Sequence, residues 1–293
     1  MEKKCGAKNP ATCWRHGNQQ GVVAHAAIQK TLAVPPRAVL DNYPVTERPL
    51  KTMNAPVLAI TIARFADAHP EIDGVKMREA ILLASELHQN DLRSNRAKYD
   101  VTPYIEHPLR NTLRLIRWGC TDQNVLISSL LHDTVEDHPH EISANHHGEA
   151  TDYEHVAREN SFKYIHSKFG KRVSTTVRGM SNPIFADKYM PAAKKNIIYA
   201  NHVTEAIQDP HVFVNKMADF TDNALGLHHN RASMSETSLR KKATKYLLVI
   251  DALESRLKQG IVVGDLPISE KGAQRMLRQL EKGRPGLIEL ANL

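Results

Sequence analysis

The densest group of ionisable residues in the sequence is the run His132-Asp133-Thr-Val-Glu136-Asp137. On a helix, residues four apart share a face, as His132 and Glu136 would and Asp133 and Asp137 would, so the four groups can crowd one end of one helix face. Burying a histidine and three carboxylates without a cation is costly, whereas a divalent metal ion turns such residues into ligands. The alternative is a helix C-terminus with solvated acids, because His-Asp dipeptides recur by chance. The run therefore predicts a metal site if further ligands exist elsewhere.

Two other segments supply candidate ligands. His107 stands before Pro108, a pattern that predicts a helix start with the histidine at the N-cap and the proline at N1. Asp219 lies in an otherwise apolar helical segment, one turn from Lys216 and from Asn223. A carboxylate on such a helix needs a partner, which is either the lysine or a metal ion.

The elements that must position these residues are helices. From about residue 57 the apolar residues recur with helical spacing, and we find no strand-length alternation and no internal repeat. The predicted fold class is therefore all-α. Helices are predicted over residues 57–66, 75–87, 161–170, 173–179, 192–208, 239–259 and 269–281, and the His132 run is predicted to end a buried helix that begins after Thr121-Asp122.

The chain divides by composition into three parts. Residues 1–50 are rich in Asn, Gln, Gly, Pro and His and predict a flexible extension, 51–235 form the main domain, and 236–293 are helices that complete or extend its bundle. The extension contains Cys5-x7-Cys13-x2-His16, which could hold zinc with a fourth ligand from His25 or a partner, although the spacing matches no standard finger.

The overall composition indicates a cytoplasmic protein with no membrane partner. The chain has 293 residues, 41% of them hydrophobic, which is enough for a sizeable core, but no window approaches eighteen apolar residues and the N-terminus lacks a signal-peptide core. Three scattered cysteines fit a reducing compartment. The net charge of +7 suits polyphosphates or RNA, but it is diffuse and decides nothing alone.

The segment 138–160 carries five histidines, His138, His140, His146, His147 and His155. These histidines could provide the ligands of a second metal site. The segment also contains glycine and acids without fixed helical spacing, so a solvated loop is the expected structure.

Taken in order, the motifs resemble the hydrolase domain of the RelA/SpoT family, a branch of the HD superfamily. The resemblance rests on Tyr104-Ile-Glu-His107-Pro, on the His132 run and on Lys216-Met-Ala-Asp219-x3-Asn223, and it covers about residues 74–230. It is greatest to a small alarmone hydrolase, since no synthetase domain follows. The resemblance implies an HD-domain helical bundle over residues 51–235.

The resemblance also implies roles for individual residues. The implied metal ligands are His107, His132, Asp133 and Asp219, and the implied ion is manganese, Mn²⁺, although reasoning from the residues alone would not separate manganese from iron or zinc. Glu136 and Asp137 match the catalytic acidic pair, which would orient and deprotonate a water molecule. The implied substrate contacts are Arg96, Lys98 and Asn223, with Arg93 also eligible. Departures from the family pattern are Gly179-Met-Ser-Asn182, Thr221-Asp222 and Gly226.

The implied activity is conversion of guanosine tetra- or pentaphosphate, (p)ppGpp, to GDP or GTP and pyrophosphate. Such a hydrolase could act as an antitoxin against a toxic small alarmone synthetase, with ppApp or 3′-pyrophosphorylated tRNA as substrate. The alternatives are an HD phosphohydrolase on other nucleotides and a non-catalytic antitoxin that binds a protein. The expected partner is a small-molecule nucleotide; the 3′ end of tRNA and a homo-oligomer stay open.

Overall fold

The computed structural model describes residues 48–93, 101–185, 187, 189–231 and 233–293. Apart from one ladder of two two-residue strands, the regular structure in these ranges is helical, so the prediction of an all-α fold is confirmed. Three predictions fall on residues outside these ranges: the substrate contacts Arg96 and Lys98, nearly all of the 1–50 extension, and the candidate zinc ligands within it.

The helices follow one another through short connections. They are α1 (Ala55–Ala68), α2 (Gly74–Leu87), α3 (Glu106–Arg117), α4 (Gln123–Leu131), α5 (Thr134–Asp137), α6 (Pro139–Glu141), α7 (Glu154–Phe169), α8 (Lys171–Met180), α9 (Ala192–Ala206), α10 (Pro210–Phe220), α11 (Glu236–Val263) and α12 (Glu270–Ala291). Short 3₁₀ turns occupy Leu50–Thr52 and Leu227–Asn230, and π-helical turns occupy Ile142–His147 and Thr221–Leu225. The strands β1 (Leu92–Arg93) and β2 (Thr102–Pro103) pair antiparallel.

Several of these helices begin at aspartates. The carboxylates of Asp73, Asp122 and Asp209 each accept hydrogen bonds from two backbone N–H groups in the first turn of α2, α4 and α10 respectively. These bonds satisfy donors that have no partner inside a helix.

The core is built around α3 and α4. Every residue of α4 from Val125 to Leu131 is buried, as is every residue of α3 from Glu106 to Leu115. The α4 run is mostly apolar, whereas α3 takes Arg110 and Arg114 into the interior with it. Because buried charges require partners, we expect an ion-pair network around these two arginines.

Two boundaries around the chemically important residues differ from the sequence prediction. Helix α3 begins at Glu106, so His107 lies in the first turn rather than at the N-cap. The helix carrying the His132 run does not continue through it: α4 ends at Leu131 and α5 begins at Thr134. The Thr134 hydroxyl donates to the carbonyl of Leu131 at 2.7 Å, a side-chain bond that competes with the helical ladder at this junction.

The histidine-rich segment and the C-terminus are also more helical than predicted. Residues 138–160 are not a solvated loop, because α6, the turn Ile142–His147 and the start of α7 occupy them and Ile142 is buried. Helix α12 runs past Pro285 to Ala291, and Leu287 and Leu290 are buried on it. None of the helices within the described ranges combines the length and the apolar composition that a membrane span requires.

Candidate active site

Four of the predicted site residues, from three parts of the chain, converge where α3 begins, α4 ends and α10 ends. The Nε2 atom of His107 lies 3.0 Å from Oδ1 of Asp219 and 3.5 Å from Oδ2 of Asp133. The Nε2 atom of His132 lies 3.1 Å from the same Asp133 oxygen and 3.7 Å from the same Asp219 oxygen. Two imidazole nitrogens and two carboxylate oxygens therefore face a common point, and we call these residues the His₂Asp₂ cluster.

Both imidazoles are held with Nε2 pointing into the cluster. The Nδ1 atom of His132 donates to the carbonyl of Ser129 at 2.8 Å, and Nδ1 of His107 donates to Oδ2 of Asp222 at 2.9 Å. A proton on Nδ1 leaves Nε2 as the lone-pair nitrogen, which is the form that binds a metal. Within the described residues, the buried Nε2 of His132 has no hydrogen-bond partner. The donor set and this orphaned nitrogen fit a divalent metal ion.

Asp222 is the residue that the sequence reasoning missed. It is fully buried, its Oδ1 accepts from Nε of Arg110 at 3.0 Å and from Nη2 of Arg114 at 3.0 Å, and its Oδ2 accepts from Nη2 of Arg110 at 2.9 Å. The Lys51 ammonium lies 3.3 Å from Oδ1. Burial opposes ionisation, but Arg110 and Lys51 outweigh it and hold the pKa of Asp222 well below its usual range. The signal was present in the two arginines of α3, but their common partner lies more than a hundred residues away.

The cluster is strongly polarised. Burial disfavours a charged His132, yet the carboxylates of Asp133 and Asp219 raise the pKa of its ring well above the ordinary value. For Asp219, burial is outweighed by the nearby imidazoles of His107 and His132, which hold the pKa of this carboxylate well below its usual range. Positive charge is thus stabilised at the centre of the cluster, which is what a cation site requires.

Two further side chains orient the carboxylates. The Tyr104 hydroxyl donates to Oδ2 of Asp133 at 2.7 Å, and the Asn223 amide donates to Oδ1 of Asp219 at 2.6 Å. Arg93 in β1 donates to the Asn223 carbonyl oxygen, and its guanidinium carbon lies 5.1 Å from the centre of the Tyr104 ring. Asn223, a predicted substrate contact, and Arg93, which the sequence left eligible for the same role, therefore lie beside the cluster.

The acidic pair Glu136 and Asp137 lies on α5, which begins after the helix break. Both oxygens of Glu136 accept from Asn182, through the backbone N–H at 2.9 Å and the side-chain amide at 2.8 and 3.0 Å. Asp137 is more exposed. Partial desolvation, followed by the nearby charges of Asp133 and Glu136, raises the pKa of Asp137 to about 7. The predicted sharing of one helix face by all four ionisable groups is wrong, because α5 starts a new helix.

Lys216 does not serve as the partner of Asp219. Its ammonium donates to the carbonyl of Met180 at 2.6 Å and lies within a half-open cleft of about 420 Å³. Cationic side chains line this cleft beside the cluster; they are Arg93, Lys216, Lys242 and Lys245. A second cleft of about 630 Å³ shares Asn182, Tyr199 and Lys245 with the first and adds Arg158 and Lys195. Such walls suit a substrate with several phosphate groups.

The described residues thus define an all-α protein with a candidate metal centre at the base of a cationic cleft. No protein-family model matches the chain. The chain is 31% identical over 121 residues to guanosine-3′,5′-bis(diphosphate) 3′-pyrophosphohydrolase of Aquifex aeolicus, an alignment that covers 41% of this chain and 14% of that relative. It is 27% identical over 191 residues to the bifunctional (p)ppGpp synthase/hydrolase SpoT of Escherichia coli, covering 64% and 22% of the two chains.

A shorter relative gives a similar result. The chain is 29% identical over 138 residues to the pyrophosphohydrolase MESH1 of Xenopus tropicalis, covering 46% of this chain and 62% of the relative. A solved metazoan orthologue of SpoT that hydrolyses ppGpp has a TM-score of 0.48 and 21% identity, over 71% of this chain and 95% of that one. The chain spans less than a quarter of the two bacterial relatives named above. The predicted resemblance to (p)ppGpp 3′-pyrophosphohydrolases of the RelA/SpoT type is confirmed.

Proposed function

We propose that this protein is a metal-dependent 3′-pyrophosphohydrolase that converts (p)ppGpp and water to GDP or GTP and pyrophosphate. The convergence of the His₂Asp₂ cluster carries the proposal, because it unites three distant sequence motifs around one point beside a cationic cleft. The names of the relatives support the same reaction and the same substrate.

In this proposal His107, His132, Asp133 and Asp219 hold the ion, which we infer from the family resemblance to be Mn²⁺. Imidazole nitrogens and carboxylate oxygens suit such an ion. When bound, the ion would supply Lewis acidity to the phosphoryl group under attack. Tyr104 and Asn223 fix the two carboxylates, and Asp222 fixes the His107 ring, so the ligands need little rearrangement to act.

The remaining residues have roles in binding and proton transfer. Arg93, Lys242 and Lys245 neutralise the phosphates of the substrate, and Asn223 presents its amide beside them. Asp137 accepts a proton from the attacking water at a carboxylate oxygen, for which a pKa of about 7 is well suited. Glu136, oriented by Asn182, holds that water by accepting its other hydrogen. The water oxygen forms a bond to the phosphorus attached to the ribose 3′ oxygen, the bond between that phosphorus and the 3′ oxygen breaks, and the 3′ oxygen takes up a proton from solvent. Pyrophosphate and GDP or GTP are the products.

The test measures pyrophosphate release from ppGpp, ppApp and 3′-pyrophosphorylated tRNA, with manganese and with chelator. We expect turnover of ppGpp that needs manganese and is lost in Asp133→Ala, while the exposed-site control Asp152→Asn retains it. Faster turnover of ppApp or of the tRNA would assign an antitoxin-type substrate instead. Absence of release from all three substrates by a metal-loaded protein would refute the proposal and favour other nucleotides.

A separate experiment distinguishes catalysis from inhibition by binding a partner protein. Glu136→Gln and Asp137→Asn retain the shape of α5 but remove its bases, so we expect turnover to fall by about 10²–10⁴-fold while manganese binding is retained. If the chain protects cells from a toxic synthetase, both variants should lose that protection. Protection that survives in both variants would show a non-catalytic antitoxin.

A further inference from the structure

A second group of metal-ligating side chains lies outside the His₂Asp₂ cluster. The Nδ1 atom of His88 is 2.8 Å from Oδ2 of Asp91, Nε2 of His138 is 2.7 Å from that same oxygen, and the two nitrogens are 3.2 Å apart. Together these three residues have the atoms to hold a metal ion, and we call them the His₂Asp triad.

Tertiary packing rather than local sequence creates the triad. His88 caps the C-terminus of α2, and the backbone N–H of Asp91 donates to the His88 carbonyl at 3.1 Å. The backbone of Asp91 is fixed in turn by the N–H of Tyr104, which donates to its carbonyl at 2.9 Å. His138 comes from the junction of α5 and α6, far along the chain. In the sequence it is one of five histidines in the segment 138–160, and nothing there indicates its approach to His88.

Neutral imidazoles alone do not satisfy this arrangement. The Nδ1 atom of His138 faces Oε1 of Glu141 at 3.4 Å, while its Nε2 faces Asp91. A neutral imidazole has one proton, so one of its nitrogens would direct a lone pair at a carboxylate. His88 is 1% exposed, and its Nδ1 is the atom that faces Asp91 and His138. A second proton on His138 would remove the conflict, and so would a divalent cation, which accepts the Nε2 lone pair of His138 while Nδ1–H donates to Glu141.

The triad is also accessible to an ion. The Asp91 side chain is 35% exposed and that of His138 is 13% exposed, while His88 forms the buried floor. Two imidazoles, one carboxylate and room for water are a donor set typical of zinc and neighbouring first-row metals.

We propose that His88, Asp91 and His138 form a second metal site for a divalent first-row transition ion, with zinc as the representative ion. The site is positioned to stiffen the wall of the first one. The His88 ring stacks on Tyr104 with centroids 4.6 Å apart, and the Tyr104 hydroxyl donates to Asp133. Occupancy of the triad therefore restrains the orientation of a proposed ligand of the catalytic ion, and the triad itself takes no part in the chemistry.

The test counts zinc ions per full-length chain after equilibrium dialysis, using elemental analysis. All variants carry Cys5→Ser and Cys13→Ser, which remove the candidate thiolate ligands near the N-terminus. The protein with only these two cysteine changes should bind two zinc ions. Adding His138→Gln or Asp219→Asn should leave one ion, and adding both should leave none. The matched control is His140→Gln, two residues along, whose Nδ1 instead lies 2.8 Å from the Thr151 carbonyl; it should retain two ions.

A second variant guards against loss of fold. Asp91→Asn changes one partly exposed side chain, and circular dichroism should show parent-like helix content while one ion is lost. Unchanged zinc content in both Asp91→Asn and His138→Gln would overturn the proposal. It would also be overturned if the Cys5→Ser, Cys13→Ser protein bound only one ion and the added change Asp219→Asn removed it. These outcomes leave the proposed hydrolysis standing, because the proposed catalytic ion is held by the His₂Asp₂ cluster and not by the triad.

Discussion

The carboxylate of Asp222 lies 2.9 Å from Nδ1 of His107, at the opposite edge of the ring from the nitrogen that faces Asp133 and Asp219. The same carboxylate is the common partner of Arg110 and Arg114. One buried residue therefore orients a candidate metal ligand and neutralises two buried cations of α3. Position and stability of the site are coupled through Asp222.

This coupling predicts that Asp222→Asn has two effects. Loss of the buried charge leaves the α3 arginines without their common anionic partner, so unfolding in urea should require about 3–5 kcal/mol less free energy. Manganese affinity should fall by about 10- to 100-fold, because the amide no longer holds the His107 ring as a carboxylate does. The control is Asp67→Asn at the exposed pair with Arg78, expected to change stability by less than about 1 kcal/mol. Parent-like stability and affinity in Asp222→Asn would contradict the role of this residue.

The lysines of α11 allow a matched test of substrate binding. Lys245 lines both clefts, whereas Lys241, one turn earlier, is exposed and lines neither. Lys245→Ala should raise the KM for ppGpp by at least about tenfold, because a loss of this size is expected when one charge-assisted hydrogen bond is removed. The value of kcat should change little. Lys241→Ala should leave both constants at the parent values. Equal effects of the two changes in steady-state kinetics would argue against phosphate binding in this cleft.

The sequence predicted most of the long helices and singled out the four cluster residues, because helical periodicity and short motifs are local signals. It was insufficient at the break between Leu131 and Thr134, where a threonine hydroxyl takes a helical carbonyl. It also missed Asp222 and the approach of His138 to His88, since both depend on packing between segments distant in sequence. The roles of the cluster residues stay predictions.

Gly226, a departure from the family pattern, has a steric explanation. A Cβ at this position would collide with the carbonyl oxygen of Asp222 and approach Cε of Lys51 at 3.3 Å. Gly226→Ser should therefore lower the free energy of unfolding by about 1–3 kcal/mol.

The control for Gly226 is Gly286→Ala in α12, where an added Cβ meets nothing within 4 Å. A helix gains up to about 1 kcal/mol from replacing glycine by alanine, so this variant should be as stable as the parent or more stable. Urea titration of the two variants tests the pair. A Gly226→Ser variant as stable as Gly286→Ala would disprove the steric argument.

The raised pKa of Asp137 predicts how stability depends on pH in chelator-treated protein. An acid whose pKa rises to about 7 on folding binds its proton more tightly in the folded state than in the unfolded chain. This tighter binding adds to the free energy of unfolding at low pH, and the contribution is lost as pH rises through 7. Asp137→Asn removes this loss. The variant should gain stability over the parent progressively from pH 5 to pH 8 in urea titrations. A stability difference that does not change over this range would show that the carboxyl titrates normally.

The most direct test of the central claim is a manganese titration of chelator-treated protein, with pyrophosphate release from ppGpp as the readout. The parent should regain activity as one ion binds, and His132→Gln, which removes the orphaned Nε2 at the centre of the cluster, should neither bind that ion nor release pyrophosphate. Parent activity that is independent of added manganese, or a His132→Gln variant that titrates like the parent, would contradict the assignment of this cluster as the catalytic metal site.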